Sequence, residues 1–235
     1  MKISVLMPIY ATQLDWVKEA VDSILNQTYQ DFQFIIVDDN NPKGELTDYL
    51  YEIKKDCCLS IVRTDHNAGI AYALDYGLRF CSNELIVRMD ADDIAQPHLL
   101  EMHNDFFTRF PDRHICGVQI RLFNTQREWL SHHPGEVTKE YARSSESGFW
   151  FVNHPGVAYR KEVINRVGGY GEIPPTLAED YALWIKFLKA GYLIYNRPEV
   201  LMNYRSHPKG FSFAPDRKAP EWYQFLNEQK QSLND

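Results

Sequence analysis

Three carboxylates crowd into Met89-Asp90-Ala91-Asp92-Asp93, at the end of the apolar run Leu85-Ile86-Val87. Acids packed at a strand end repel one another unless something positive sits among them or water screens them. Mg²⁺ and Mn²⁺ favour oxygen ligands, and Mg²⁺ typically takes one or two carboxylates together with substrate phosphates. Asp90, Asp92 and Asp93 therefore offer a divalent-cation site able to meet a diphosphate, with Asp92 the expected main ligand. The competing use is a solvated strand end in which Asp92 or Asp93 caps the next helix.

Other acids and bases raise the same kind of choice. Asp38-Asp39 closes a second apolar run, either as Asx-turn residues before Asn40-Asn41-Pro42 or as acceptors for a base or ribose hydroxyl. Glu179 and Asp180 open an amphipathic stretch. Thr176 and Glu179 match a capping box, which leaves Asp180 without a capping task. The helix dipole favours an ionised acid in that first turn, the form a general base requires. Arg205 and His207, beside Lys209, form either a surface basic loop or a segment that folds over a leaving diphosphate, with His207 as a further metal ligand. His154, before Pro155, reads as structural.

The elements that must position these groups follow from hydrophobic period. Residues 3–9 form a continuous apolar run, the mark of a strand buried on both faces. A helix follows, with Asp15 at its start and Val17, Ala20, Val21, Ile24 and Leu25 at helical spacing. Strands are expected at 32–42, 59–65 and 83–93, alternating with helices at 45–55, 68–81 and 97–110, the last with Pro97 at its first position. Four such alternations predict a parallel α/β sheet over 1–110, with its ligand crevice beyond the C-terminal strand ends. Met7 to Tyr10, Asp38-Asp39, Asp65 and Asp90 to Asp93 all fall at those ends.

The second half is less regular. Strands are expected at 114–124 and 199–212, with a further strand, a short helix and a glycine-rich turn over 154–172. A short helix lies near 137–145. A helix over 176–192 should bury Tyr181, Trp184, Ile185 and Leu188 on one face and end at Gly191. The tail, 213–235, is polar with a short terminal helix. The expected organisation is one domain over 1–235, with a nucleotide-binding half (1–110), an acceptor-side half (111–212) and the tail.

Composition narrows the function. A net charge of −7 argues against a general nucleic-acid binder. No stretch approaches the roughly 18 unbroken apolar residues of a membrane span, and the N-terminus reads as a first strand, not a signal peptide. Cys57, Cys58, Cys81 and Cys116 lack Cys-x-x-Cys spacing and read as reduced cytosolic thiols without structural zinc. Aromatics make up 14% of the chain, enough for sugar or nucleobase stacking, although core filling is their default use. Phosphate-binding glycine loops are absent: "PIYATQLD" has no glycine where a dinucleotide fold needs G-x-G-x-x-G. Any diphosphate must be held by other means, such as a carboxylate-bound cation.

Together, "SVLMPIY", "SILNQTYQDFQFIIVDDNN", "NAGIAYALDYGL", "IVRMDADD", "HPGVAYRKEVINRVGGY", "AEDYALWIKFLKAGY" and "LMNYRSH" resemble, in order and spacing, the GT-A glycosyltransferases of inverting family 2, typified by bacterial polysaccharide and lipopolysaccharide enzymes. The resemblance spans about residues 2–210. It implies the GT-A fold: a Rossmann-like, mostly parallel sheet flanked by helices, with a smaller mixed acceptor-side region. It implies a metal-dependent enzyme (Mn²⁺ or Mg²⁺) that moves one sugar from a nucleoside-diphosphate sugar, a UDP-hexose or UDP-N-acetylhexosamine, to a hydroxyl of an oligosaccharide or lipid-linked surface glycan. Position by position, Pro8, Ile9 and Tyr10 would lie against the donor base. Asp39 would bind that base, with Asp38 supporting it. Asn67, Arg88, Asp90, Ala91, Asp92 and Arg205 would complete the donor site, and Asp92, Asp93 and His207 would bind metal. Asp180 matches the catalytic base. Asp75 stands where many relatives carry Asn. Localisation at the inner face of the cytoplasmic membrane, with peripheral association, follows from the resemblance alone. The competing classes are a nucleotidyltransferase, which would resemble a glycine-rich, basic first loop, and a non-catalytic glycan-binding relative, which would tend to lose Asp92 or Asp180.

Overall fold

The computed structural model describes residues 1–53, 59–123, 129–144, 148–174, 177–207 and 220–234. The alternation in the first half becomes β1 (Ile3–Ile9), α1 (Leu14–Leu25), β2 (Phe32–Asp38), α2 (Glu45–Ile53), β3 (Leu59–Arg63), α3 (Ile70–Leu78) and β4 (Leu85–Arg88). A two-residue strand, β5 (Ile94–Ala95), precedes α4 (Leu99–Arg109). The strands β3-β2-β1-β4 lie side by side and pair in parallel. The chain moves outward from β1 on one side to β2 and β3, then returns to place β4 on the other. This reversal opens a crevice beyond the strand ends, where Ile9 pairs with Asp38 and Leu6 with Arg88.

The second half comprises β6 (Ile115–Phe123), β7 (Trp129–Leu130), β8 (Glu136–Val137), α5 (Lys139–Arg143), β9 (Ala158–Arg160), α6 (Lys161–Arg166), α7 (Glu179–Lys189), β10 (Ile194–Arg205) and α8 (Pro220–Gln231). β9 runs antiparallel between β4 and β6 and joins both halves into one sheet, β3-β2-β1-β4-β9-β6-β10-β5. The result is parallel on the β1 side and mixed beyond β9, a Rossmann-like sheet flanked by helices. Strand alternation divides the core: Leu6, Ile35 and Val37 face α3, α7 and α8, while Val5, Met7, Phe34 and Ile36 face α1 and α4.

Several local expectations change. α1 begins after Gln13, and Asp15 lies in its first turn without a capping hydrogen bond. Pro97 precedes the α4 N-cap, His98; Gln27 caps the helix from a distance, its side-chain oxygen accepting from Leu100 N at 3.0 Å. The N-cap of α7 is Ala178, with no side-chain cap, and Thr176 of the expected capping box lies outside the described residues. α7 is buried on nearly every side, including Ala182, Leu183 and Phe187, with α8 packed against it and Phe187 against Tyr159 of β9. Its C-terminus is as read: Gly191 takes φ 84°, with Tyr192 N donating to Phe187 O and Gly191 N to Leu188 O, a Schellman motif. Cys81 and Cys116 are free and buried.

Gly77 fixes how closely α3 approaches the sheet. A Cβ there would lie 2.4 Å from Leu6 Cδ1 and 2.5 Å from Val37 Cγ2. Gly77→Ala is expected to destabilise the fold by about 1–3 kcal/mol through overpacking, despite alanine's better helix propensity. A thermal melt at or above the wild-type midpoint would show that α3 can move outward without loss.

Candidate active site

The C-terminal ends of β1, β2 and β4 open into a cleft of about 1340 Å³. One wall carries Pro8, Ile9, Tyr10, Asp39 and Asn67, and the floor carries Arg88, Asp90, Ala91 and Asp92. Asp180 and Glu179, at the start of α7, line the same cleft. Residues from distant parts of the chain meet there because parallel strands all end at one edge of the sheet.

The first wall is rigid. Asp39 is almost wholly buried; Thr64 Oγ1 donates to its Oδ1 at 2.9 Å and Asn67 Nδ2 to its Oδ2 at 2.7 Å. Burial raises its pKa, an effect the Thr64 hydrogen bond opposes. Asp38 points elsewhere and does not line the cleft. Its Oδ1 accepts from both N and Nδ2 of Asn41, each at 2.8 Å, and its Oδ2 pairs with Arg63. The two acids thus divide the options seen in the sequence: Asp38 builds the turn and Asp39 faces the cleft. Asn41 extends the brace, donating to Ile9 O at 2.9 Å and accepting from Ala11 N at 2.7 Å. Ala11 sits at φ 50°, an uncommon backbone state for a residue with a Cβ.

The acidic floor has three separately placed carboxylates. Arg88, 1% exposed, pairs with Asp90. Burial opposes the charge of Arg88, but Asp90 holds its pKa above the ordinary value. His207 Nε2 lies 3.0 Å from Asp92 Oδ2, and Arg205 N donates to Asp93 Oδ1 at 2.8 Å. One oxygen from each of Asp90, Asp92 and Asp93 falls within 4.8 Å of the others. Burial and then the charge of Asp90 raise the pKa of Asp92. Asp93, fully buried, is raised well above the carboxylate range by burial and then by Asp90 and Asp92. Its Oδ2 has no hydrogen-bond partner among the described residues. A buried, unsatisfied carboxylate oxygen beside two more acids suits a hard divalent cation, so the residues present fit Mg²⁺ or Mn²⁺. Neither Asp92 nor Asp93 caps a helix, since α4 starts at Leu99.

Arg205 braces this floor from behind and does not line the cleft. Its Nε donates to Asp92 O at 2.7 Å, its terminal nitrogen pairs with Glu19, and its guanidinium lies 4.6 Å from the Phe123 ring and 5.2 Å from Trp16. At 8% exposure it is a structural clamp in this conformation, not a free cation above a diphosphate. β5, absent from the sequence reading, locks the same loop to β10 through Ala95 and Met202. His207 stacks 4.5 Å from Trp16. Lys209 lies outside the described residues.

At the start of α7, Asp180 is half-buried, and its Oδ1 accepts from Tyr181 N at 2.7 Å. Glu179 turns inward, its Oε1 3.7 Å from Nδ1 of the buried His154. His154 Nε2 is 2.8 Å from Tyr170 Oη, which is 3.2 Å from Tyr159 Oη. Burial, then the charge of Arg88, pushes the pKa of His154 well down, so the ring is neutral. The loop carrying His154 turns at Gly156, φ 78°, where an added Cβ would lie 2.5 Å from Met202 Cγ. Asp75 anchors the other end: its carboxylate accepts from Tyr170 N and Gly171 N at 2.8 and 2.9 Å. Asp75 thus supplies a separate acceptor oxygen to each amide, where an Asn would supply one.

Sequence reasoning missed the aromatic end of the cleft, formed by Trp129, Phe149, Trp150, Trp222 and Tyr223. The last two belong to α8, so the polar tail supplies part of the wall. Its available signal was Trp222, Leu226 and Leu233, an apolar spacing that all three residues satisfy by being buried.

Residues 4–168 match the model of Glycosyl transferase family 2. The chain belongs to that family. It is 34% identical over 212 residues to the UDP-Gal:alpha-D-GlcNAc-diphosphoundecaprenol beta-1,3-galactosyltransferase of Escherichia coli, covering 87% of this chain and 74% of that one. Among solved structures, S. aureus TarS 1-349 in complex with UDP-GlcNAc superposes with a TM-score of 0.77 at 16% identity, over 99% of this chain and 66% of that one. The mannosyltransferase PcManGT from Pyrobaculum calidifontis, in complex with GDP-Man and Mn2+, gives 0.68 at 20% identity, over 98% and 69%. These likenesses show the GT-A fold, and the family match makes the chain a glycosyltransferase. They set aside the nucleotidyltransferase alternative.

Proposed function

We propose that the protein is a metal-dependent, inverting enzyme that moves one hexose or N-acetylhexosamine from a uridine-diphosphate sugar to a hydroxyl of a growing surface glycan. The observation that supports this reading is the meeting of Asp39, the three clustered acids and Asp180 in one cleft. Asp39, held by Thr64 and Asn67, accepts from the donor base, with Pro8, Ile9 and Tyr10 beside it. Asp38 and Arg63 support that wall from outside. Asp90, fixed by Arg88, faces the ribose. Asp92 and Asp93, with His207 at the edge, would hold Mn²⁺ or Mg²⁺, which when bound offsets the charge of the leaving diphosphate. Arg205 keeps the acidic loop in place.

Asp180 takes the proton from the acceptor hydroxyl as that oxygen attacks the anomeric carbon. The new C–O bond forms as the bond to the diphosphate breaks, on the opposite face, so the anomeric centre inverts. An α-linked donor then gives a β-linked product. The E. coli relative is named for UDP-Gal and a diphosphoundecaprenol-linked GlcNAc, which supports a uridine donor and a lipid-linked acceptor. None of the described helices is long and apolar enough to cross a membrane. Retention of both Asp92 and Asp180 favours catalysis over a purely glycan-binding role. The decisive measurement incubates the protein with Mn²⁺, a panel of nucleotide sugars and lipid-linked glycan extracts, and follows nucleoside diphosphate release. Metal-dependent release with a UDP-sugar is expected. Silence across every donor would remove the reading.

A further inference from the structure

Aromatic side chains are ordinarily buried, yet Trp129, Trp150 and Tyr223 keep 50%, 52% and 47% of their surface exposed, all on the same cleft. They form part of a built surface. Trp150 stacks on Trp222 with centroids 5.8 Å apart and planes 29° from parallel, and Tyr223 meets Trp222 edge-on at 5.1 Å. Trp222 is 6% exposed, and its Nε1 has no hydrogen-bond partner among the described residues. A buried indole N–H without an acceptor is unusual and points to a missing polar partner.

The surface is tied to the start of α7. Phe149 meets Tyr181 edge-on at 5.6 Å, and Phe151 packs on the same ring at 5.8 Å. Tyr181 is the neighbour of Asp180. From α8, Lys230 Nζ donates to Ser144 O at 2.7 Å and Gly148 O at 3.2 Å, holding the chain just before Phe149. Trp150 is therefore carried by a loop packed on the residue next to Asp180, while Tyr223 comes from α8 and Trp129 from β7.

Charge selects the ligand. Among the described residues lining the cleft, Arg88 is the only Lys or Arg, and Asp90 takes its charge. Glu179 and Asp180 add negative charge on this wall. A phosphate would find no cation here, whereas a neutral ring with apolar C–H faces and hydroxyl edges matches rings that offer π-faces and polar tips.

We propose that Trp150, Tyr223 and Trp129 form a stacking platform for a pyranose ring of the acceptor glycan, so the C-terminal helix α8 helps to select the acceptor. This rests on the transferase reading above. The 14% aromatic content then has a use beyond core filling at these positions.

The test titrates the full chain with methyl pyranosides (gluco, galacto, manno and N-acetylglucosamine forms) and, separately, with farnesyl diphosphate, following the indole N–H resonances of the tryptophans. A methyl pyranoside is expected to shift the Trp129, Trp150 and Trp222 signals. Trp150→Ala and Tyr223→Ala, both at exposed positions, should each weaken that binding by ~10-fold, the scale of one lost stacking ring. Shifts with farnesyl diphosphate but no pyranoside would assign the surface to a lipid and overturn the proposal, as would silence with both probes. UDP binding in the presence of Mn²⁺, measured on the same samples, reports the donor side separately. Its failure would remove the donor reading while the pyranoside response still decides the platform.

Discussion

Asp180→Asn is expected to lower sugar transfer by ~10²–10⁴-fold, the usual contribution of a positioned general base, while UDP-sugar affinity stays within ~3-fold of wild type. The substitution keeps the shape of the side chain and the acceptor oxygen for Tyr181 N, a contact of 2.7 Å. It removes the basic oxygen that the acceptor hydroxyl needs. The separation rests on position: Asp180 comes to the cleft from α7, while the donor wall comes from the ends of β1 and β2. Single-turnover transfer and equilibrium donor binding, measured on one preparation, check both halves. Near-normal turnover would exclude Asp180 as base, and lost donor binding would move it to the donor site. Glu179→Gln is the useful companion, because Glu179 faces His154 inside the wall.

Asp92→Asn is expected to weaken the Mn²⁺ dependence of donor binding by at least ~100-fold, the upper range for disturbing the surroundings of a metal site. The same change should raise, not lower, the melting temperature without metal. With three carboxylate oxygens inside 4.8 Å, removing one negative charge relieves repulsion. Added Mn²⁺ should then raise the wild-type melting temperature more than that of the variant. Asp90→Asn should behave oppositely in the melt, because it leaves the 1%-exposed Arg88 without its ion-pair partner. A loss of that kind costs about 3–5 kcal/mol. Calorimetry with and without Mn²⁺ separates the two acids. Equal metal responses in wild type and Asp92→Asn would place the cation, if one binds, on other groups.

The first-half strands were legible because their signal is local: a strand buried on both faces is apolar at most positions, as Ile3–Ile9 is apart from Ser4 and Phe32–Asp38 apart from Gln33 and the terminal acid. The site address was legible for the same reason, since acids following such runs must sit at one edge of a parallel sheet. The division of labour within each acidic pair was not. Asp38 and Asp39 are chemically alike, and only Arg63, Asn41, Thr64 and Asn67, delivered by neighbouring segments, decide which one turns to the cleft. The bracing contacts of Arg205 are not legible in the sequence because its partners, Glu19, Trp16 and Phe123, are remote along the chain.

The helix over 176–192 shows the limit of periodicity. Its pattern predicts one wet face, but the helix is buried on nearly every side with α8 among the elements packed on it, and a period of apolar residues cannot report a partner that arrives from the tail. The sequence by itself determined the α/β class, the strand ends that gather Asp39 and Asp90 to Asp93, and Asp180 on a helix start. Tertiary structure alone decided which oxygens face the cleft, that Arg205 braces the acidic loop, and that α8 brings Trp222 and Tyr223 to its far end. Chain periodicity encodes which side of an element is buried, whereas pairing between charged or aromatic side chains depends on elements meeting in space.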